Sequence, residues 1–384
     1  MRLFTQALQR FFAYQQASSV LLILATILAL LVANTSFAGQ YHAFWHSVWF
    51  GLSLETWVND GLMAIFFLLI GLELKRELYA GELSSLNNAL LPSIAALGGM
   101  LLPALIFWQF NHGTEYQRGI GIPMATDIAF ALGVLSALGK RVPAPLKVFL
   151  VAFAVIDDLG AAAMIAVFYT ASISLTYLTA ALAVLALLFL LNYLRIRAVI
   201  PYLLGGVLMW WFTLQSGVHP TLAGIALAFT IPFAAHQDQP SPSRQLEHHL
   251  RLPVAFLILP VFAFANTGLE IDVQGLQALF SHTNSLGIMA GLLLGKPVGI
   301  TLAVWFAARA GLCKLPYPLR WRYIMGAGLL GGIGFTMSIF ITNLAFEDQA
   351  AVIQLSKMAI LTSSLIAALT GWLWLKLVLP YKTD

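Results

Sequence analysis

The sequence predicts an all-α polytopic membrane protein with about 12 transmembrane helices. The first observation is composition: 60% of the 384 residues are apolar and 9% are charged, whereas a soluble domain has about 25% charged residues. The second is pattern, because apolar runs of about 20 residues, the length of a membrane-spanning helix, recur along the chain. The third is the placement of the positive charges, described below. Together these observations exclude a soluble globule, a coiled coil and a disordered chain.

Twelve apolar runs between polar segments define the predicted spans. The first six are residues 18–34, 57–74, 90–110, 119–139, 146–170 and 175–194. The second six are residues 199–215, 220–235, 252–268, 285–308, 323–346 and 355–379. The connecting segments are short, so we predict one membrane domain over residues 1–384, without a soluble module.

The lysine and arginine residues set the predicted orientation. If the N-terminus is cytoplasmic, 17 of the 20 lie on the cytoplasmic side and two, Arg118 and Lys357, lie outside. The last, Lys296, lies within a span. Positive charge concentrates in cytoplasmic loops of membrane proteins, so both termini are predicted to be cytoplasmic. The charges explain orientation in the lipid bilayer, and nucleic acid is not an expected partner.

The first apolar run allows an alternative interpretation. It follows Arg2 and Arg10 and ends near small residues at positions 36–38, as a cleavable signal peptide does. The run is long for a signal peptide, and the alternation of charge further along the chain already places its start inside. We therefore predict a span.

Four ionisable residues lie deep within apolar runs: Asp127, Asp157, Asp158 and Lys296. Each costs roughly 3 kcal/mol at the centre of a membrane helix, so a functional site is expected. Asp157 and Asp158 are neighbours on a predicted helix, so they point about 100° apart and can share a cavity with different partners. Two adjacent buried carboxylates repel each other and can exchange a proton for a cation. The structural alternative is that one caps a broken helix and the other forms a salt bridge.

The fourth and eleventh spans are both expected to be discontinuous. In the fourth, Pro123 lacks a backbone N–H and frees polar groups close to Asp127. The eleventh contains five glycines: Gly326, Gly328, Gly331, Gly332 and Gly334. Two interrupted segments are the sequence sign of a transporter site near the bilayer midplane, and we expect an inverted structural repeat. Thr126 or Asp127 could also simply cap the second half-helix.

Lys296 lies beside a row of glycines. Gly287, Gly291, Gly295 and Gly299 recur every four residues, which makes one face of the tenth helix smooth enough for close packing. Lys296 points about 100° away from that face. Its ammonium group is therefore available to a carboxylate on another helix, and both Asp157 and Asp158 qualify.

A third group of candidates lies near the predicted membrane boundaries. Taken singly, each of these candidates is expected to be a solvated or capping residue: Asp60, Glu73, Glu77, His219, Glu247, His248 and His249. Glu73, Glu77, Glu247 and His248 all lie on the predicted inner side, where together they could form a titrating cluster. Histidine supplies a proton affinity near neutral pH.

Six segments resemble the NhaA-type sodium/proton antiporter family: LLIGLELKREL, IPMATDIAFALG, AVIDDLG, SGVHPTLAG, LGKPVGI and GIGFTMSIF. The association of interrupted membrane helices with transporter sites was itself established partly on members of this family. The resemblance implies twelve helices with the fourth and eleventh unwound and crossing, a homodimer, and the bacterial inner membrane. It also implies electrogenic, pH-regulated exchange of cytoplasmic Na⁺ or Li⁺ for external H⁺, without a cofactor.

The resemblance also implies roles for single residues. Asp158 would be the principal sodium ligand, and Asp157 a neighbouring carboxylate paired with Lys296. Asp127 with Thr126 would compensate the charges at the crossing. The implied pH-response region comprises Glu73, Glu77, Glu247 and His248, with His219 at the outer end of the eighth helix.

Two features depart from the family pattern. The family's familiar member has a second histidine in the linker after Glu-His, where this chain reads Glu247, His248, His249, Leu250, Arg251. The pH set point therefore does not transfer. The outer loop, residues 35–55, is shortened where a dimer-forming hairpin would lie.

Three other functions would also use charges within a membrane. An intramembrane aspartyl protease needs its carboxylates on separate helices, whereas the strongest pair here is contiguous. A channel would carry ions without obligatory proton movement. A sodium-coupled carrier of organic solutes would respond to its solute in a sodium-flux assay.

Overall fold

The computed structural model describes residues 2–170, 173–234, 241–347 and 349–380, and helices dominate it. The first nine α-helices are α1 Arg2–Ala33, α2 Ala38–His46, α3 Leu54–Thr56, α4 Met63–Ala80, α5 Leu86–Asn111, α6 Ile128–Ser136, α7 Ala144–Phe168, α8 Leu175–Tyr193 and α9 Ile200–Ser216. The others are α10 Leu222–Thr230, α11 Pro242–Pro253, α12 Leu259–Asn266, α13 Val273–Leu279, α14 Thr283–Ala290, α15 Lys296–Arg309, α16 Trp321–Gly331, α17 Phe335–Ala345 and α18 Ala350–Val378.

Tighter and wider helical turns complete these elements. The 3-10 helices are Glu82–Ser84, Glu115–Met124 and Gly139–Arg141. Three π-helical segments, Trp57–Leu62, Val254–Ile258 and Gly291–Gly295, each continue directly into an α-helix. The strands β1 Val48–Trp49 and β2 Leu52–Ser53 pair antiparallel. A short hairpin therefore lies in the segment that the sequence analysis predicts to be a shortened outer loop.

The described residues include eight helices that are long and apolar enough to cross a membrane. Two further spans result if each of two bent helix pairs is counted once: the 3-10 helix Glu115–Met124 with α6, and α16 with α17. The bends are 40° and 46°, respectively. The protein is therefore a multi-pass helical membrane protein. The predicted seventh and eighth spans correspond to α9 and α10, which are shorter.

Several helices extend beyond their predicted apolar runs. The second span was predicted to end at Leu74, but α4 continues to Ala80 because the residues that follow are strong helix formers. The ninth was predicted to begin at Leu252, but α11 begins at Pro242, where the Ser241 hydroxyl accepts from Arg244 N–H. The predicted end of the eighth span, at position 235, lies outside the described residues.

The chain divides into two compact units assembled from separated stretches. Unit 1 comprises Met1–Ala38, Ser85–Ala161 and Asn266–Asp384, and unit 2 comprises Gly39–Ser84 and Ala162–Ala265. Within unit 1, α5 packs along α14 and α15, while α16 packs against both α15 and α18. The 3-10 helix Glu115–Met124 packs against α5 and α17. Unit 1 therefore contains both bent helix pairs.

Unit 2 is built around the contact between α4 and α10. The backbones approach closely, because a Cβ at Gly224 would lie 2.2 Å from the Ala64 carbonyl oxygen. A cluster of buried apolar residues surrounds this contact and extends to α8 and α9, including Leu72, Leu188 and Tyr202. The core of unit 2 therefore carries the end of α4, where Glu73 and Glu77 lie.

Candidate functional site

The two bent helix pairs of unit 1 meet through their extended segments. The Asp127 N–H donates to the Ile333 carbonyl oxygen over 2.7 Å, which joins the break before α6 to the break before α17. Backbone groups freed in one break are thus satisfied by the other. At membrane depth, where water is absent, such pairing is what makes a broken helix tolerable.

Asp127 lies at the N-termini of both α6 and α17. Its Oδ1 accepts from Phe130 N–H over 2.9 Å, which caps α6. Its Oδ2 accepts from Thr336 N–H over 3.1 Å and from the Thr336 hydroxyl. Helix N-termini carry partial positive charge and favour an anion. Asp127 therefore caps α6, which is the alternative that the sequence analysis gives, and its carboxylate also lies at the N-terminus of α17.

Hydroxyl groups bind the carbonyl ends of the same bent pairs. Thr126 donates from Oγ1 to the Gly331 carbonyl over 2.8 Å, at the end of α16. Ser338 donates to the Ile122 carbonyl over 2.7 Å, at the end of the 3-10 helix. These carbonyls belong to helix C-termini, where partial negative charge accumulates. The crossing therefore has a positive and a negative side.

Lys296 forms a buried ion pair with Asp157. Its Nζ lies 3.0 Å from Asp157 Oδ1 and 2.9 Å from Oδ2, and it donates to Thr126 Oγ1 over 2.8 Å. Both charged side chains are fully buried. Asp158, 1% exposed, follows directly on α7. Of the two carboxylates that the sequence analysis allows as partners of Lys296, the structure shows Asp157. Thr126 connects this ion pair to the two bent helix pairs by a hydrogen bond.

The glycine face next to Lys296 packs against α5, as predicted. A Cβ at Gly299 would lie 2.2 Å from the Gly98 carbonyl oxygen, and one at Gly295 would lie 2.8 Å from Pro103 Cα. No residue larger than glycine fits these contacts without displacing backbone. Lys296, which begins α15, is therefore held at a fixed rotation about the helix axis.

This arrangement can hold or release a cation or a proton. A buried ammonium group and a buried carboxylate stabilise each other, and removing one charge leaves the other uncompensated. The adjacent Asp158 places a second carboxylate within the same environment. A small cation bound to these carboxylate oxygens would compete with protons for them and would alter the balance of the Asp157–Lys296 pair.

A second set of charges lies in unit 2, at the end of α4 and on α11. Arg76 contacts Glu77 Oε1 over 2.8 Å and Glu247 Oε1 over 3.0 Å. Arg251 also contacts Glu247 Oε1, and its Nε lies 3.5 Å from Glu73 Oε1. The three predicted glutamates are thus brought together, but by two arginines that the sequence reasoning missed. The available signal was the four-residue spacing of Arg251 from Glu247, which matches an ion pair on one helix face.

The two histidines assigned to the pH response lie in different surroundings. His248 follows Glu247 but is exposed, with its ring 6.0 Å from that of His249. His219 is buried before α10, where Nδ1 lies 2.9 Å from Thr221 Oγ1 and Nε2 lies 3.8 Å from Asp60 Oδ1. His248 is therefore a sequence neighbour of Glu247, but its side chain is exposed. His219 lies next to Asp60.

A buried lysine of unit 2 was also missed. Lys75, 5% exposed, donates from Nζ to three carbonyl oxygens at the end of α10: Ala228 at 3.3 Å, Phe229 at 2.9 Å and Ile231 at 2.5 Å. A cation at a helix C-terminus is stabilised by the helix dipole. In sequence, Lys75 was indistinguishable from a solvated lysine at a membrane boundary.

Charged residues buried at a crossing of broken helices, within a multi-pass membrane protein, define an ion-coupled secondary transporter rather than an enzyme. Residues 9–375 match the family described as Na⁺/H⁺ antiporter 1, and the chain belongs to it. The predicted family membership is confirmed.

Similar proteins from several bacteria cover nearly the whole chain. A protein of Dechloromonas aromatica (strain RCB) named Na(+)/H(+) antiporter NhaA is 58% identical over 373 residues, 97% of this chain and 96% of that protein. One of Cytophaga hutchinsonii with the same name is 56% identical over 375 residues, 98% of this chain and 96% of that protein. Na(+)/H(+) antiporter NhaA 1 of Flavobacterium johnsoniae is 52% identical over 375 residues, 98% of each chain.

Proposed function

We propose that this protein exchanges cytoplasmic Na⁺ or Li⁺ for external H⁺ by competition of the two ions for buried aspartates. The observation that carries the proposal is the fully buried Lys296–Asp157 pair, next to Asp158 and linked by Thr126 to the crossing. The names of the relatives support the same ions. Na⁺ is a substrate in this scheme, and no resident cofactor takes part.

Asp158 is the principal sodium ligand in the proposed cycle. A carboxylate must lose its proton to bind a cation, so sodium entry releases protons and protonation releases sodium. Asp157 contributes a second carboxylate whose charge Lys296 balances. Asp127 and Thr126 hold the helix ends around the site. Exchange is obligatory if the protein changes its access only when the site holds sodium or protons.

Electrogenic and pH-regulated transport form the finer part of the proposal. If more protons than sodium ions move in each cycle, net charge crosses the membrane and the membrane potential drives exchange. We assign pH regulation to Glu73, Glu77, Glu247 and His248 on the cytoplasmic side, and to His219 near the outer end of the eighth helix. The ion pairs of the three glutamates with Arg76 and Arg251 support this, because protonation of a glutamate would remove them.

The finer architecture is proposed on the same basis. We infer twelve crossings, with the fourth and eleventh discontinuous, an inverted repeat, and location in the bacterial inner membrane. The two bent helix pairs and the length of the other apolar helices support this number of membrane spans. A homodimer is also proposed, and the hairpin Val48–Ser53 is the segment to examine for it.

Proton movement in proteoliposomes tests the function. The vesicles carry an imposed proton gradient that a fluorescent pH probe reports. At an assay pH in the neutral to alkaline range, addition of Na⁺ or Li⁺ to vesicles with the wild-type protein should dissipate this gradient. Choline is the control cation. A channel would conduct sodium without proton movement, and a solute carrier would require its solute. If neither Na⁺ nor Li⁺ elicits a response at any pH, the proposed function is wrong.

A further inference from the structure

The helix α17 begins after a residue that has no side chain. Gly334 precedes it and offers no capping oxygen, so the first N–H groups of α17 need acceptors from other elements. Thr336 N–H is bound by Asp127, as described above. The N–H of Phe335, one residue earlier, is bound over 3.1 Å by Oγ of Ser364, on α18. A second helix thus supplies part of the cap of α17.

One face of α18 follows the break between α16 and α17. Ser364 is 3% exposed, and Ala367 and Gly371 lie on the same face because they follow it by three and seven residues. A Cβ at Gly371 would lie 3.2 Å from Leu330 N, near the end of α16. A Cβ at Gly332 would lie 3.3 Å from Ala367 Cβ. Small side chains therefore let α18 approach the break and bring the Ser364 hydroxyl to it.

We propose that Ser364 is a positioning residue of the exchange site, acting through α17 on Asp127. This inference deepens the proposed function and rests on it. Phe335 and Thr336 are consecutive residues, so a displaced Phe335 N–H also displaces the N–H that binds Asp127. Without the hydroxyl, the Phe335 N–H loses its acceptor. It then competes for Asp127 Oδ2, the oxygen already bound to Thr336.

Ser363 provides a matched control for this role. It precedes Ser364 on the same helix and is fully buried. Its Oγ has no hydrogen-bond partner within the part of the chain that the structure describes. Replacing either serine with alanine removes the same atom from the same helix at the same depth. A difference between the two variants therefore reports the contact with α17 and not the loss of a buried hydroxyl.

The transport test compares Ser364→Ala, Ser363→Ala and Ser364→Thr in proteoliposomes. Ser364→Ala should raise the KM for Na⁺ by about fivefold, the effect of one lost hydrogen bond, with a smaller change in kcat. Ser364→Thr keeps the hydroxyl and should return KM toward the wild-type value, while Ser363→Ala should leave it unchanged. Equal KM values for the two alanine variants would overturn the proposed role.

Amide hydrogen exchange tests the same contact without transport. In detergent, peptides that contain Phe335 should exchange faster in Ser364→Ala than in wild type, and Ser363→Ala should match wild type. If Ser364→Ala does not fold, Ser364→Cys keeps the size but offers only a weak acceptor, and it should also exchange faster. Amide exchange at the wild-type rate in Ser364→Ala, or in Ser364→Cys where the alanine variant does not fold, would overturn the inference. A wild-type protein that moves neither Na⁺ nor Li⁺ would instead disprove the proposed function, and the exchange rates would still decide the contact.

Discussion

An ammonium group removed from water needs a counter-charge, and Lys296 has the Asp157 carboxylate at 2.9 Å. The Thr126 hydroxyl oxygen, at 2.8 Å, accepts a further hydrogen bond from the same ammonium group. Thr126 in turn donates to the Gly331 carbonyl. The charge state of one lysine–aspartate pair is therefore connected by hydrogen bonds to the break in α16–α17. An ion that changes this pair also changes the forces on the crossing.

A double-mutant cycle of Asp157→Asn and Lys296→Gln should show strong coupling. Each single change leaves one buried charge without a partner, which costs about 3–5 kcal/mol of stability. The double variant removes both members of the ion pair, so its loss should be smaller than the sum of the two single losses by at least about 1 kcal/mol. Thermal unfolding in detergent measures all four proteins.

The control for this cycle is Lys140→Gln, at an exposed lysine of unit 1, which should change the melting temperature little. Strictly additive losses would contradict the Asp157–Lys296 pairing. Transport should remain altered in the double variant, because an amide cannot alternate between a proton and a cation. A double variant with wild-type exchange would show that the pair is only structural.

At this scale the sequence revealed the charged residues better than their polar partners. A charge within an apolar run is conspicuous, which is why Asp127, Asp157 and Lys296 were found. Thr336 and Ser364 are ordinary helix residues, and the groups they bind lie 209 and 29 positions away, respectively. Hydroxyls in membrane helices commonly bind their own backbone. Only the packing of separate helices shows that Asp127 and Ser364 accept from the first N–H groups of α17.

Broken and short helices need acceptors and donors at ends that lie in the bilayer. In unit 1 the ends are served by Asp127, Thr126 and Ser338. In unit 2 the C-terminus of α10 is served by the Lys75 ammonium group. In both units, a charged group or a hydroxyl group thus binds the backbone groups at a helix end and stabilises the helix dipole.

Lys75→Ala should destabilise the protein by roughly 1–3 kcal/mol, because buried carbonyls at the end of α10 lose their donor. Lys75→Arg keeps the charge and should recover part of the loss. The exposed Lys140 again provides a comparison, since Lys140→Ala removes a lysine without buried contacts. The measurement is the melting temperature in detergent. A Lys75→Ala variant as stable as Lys140→Ala would show that the ammonium group does not support α10.

The positions of the helices were more predictable than their ends and internal geometry. Pro123 and the glycines of the eleventh span lie in or beside the two bent helix pairs. Proline and glycine each change the backbone restraints in a way that the sequence displays directly. The ten-residue 3-10 helix Glu115–Met124 was not foreseen. Neither was the π-helical segment Gly291–Gly295 before Lys296. Such turns depend on how neighbouring helices crowd the backbone, and this is not visible in an apolar run.

At the scale of the whole molecule, the charges fall into three groups with different roles. Most of the lysines and arginines lie in the loops predicted to be cytoplasmic, where they would orient the chain. Glu73, Glu77 and Glu247 form ion pairs within unit 2. The carboxylates proposed to exchange ions lie in unit 1, on α7 and at the crossing. The sequence separates these groups by depth, and the structure adds their partners.

The central claim is that sodium and protons compete for the same carboxylates, with Asp158 as the principal ligand. Sodium-induced proton release from purified protein tests it most directly. In unbuffered detergent solution with a pH-indicating dye, NaCl or LiCl should acidify the wild-type solution in a saturable manner, whereas choline chloride should not. The folded Asp158→Asn variant should release no protons on sodium addition. Release by Asp158→Asn equal to that of wild type, or no release by a folded wild-type protein at any pH, would contradict the account.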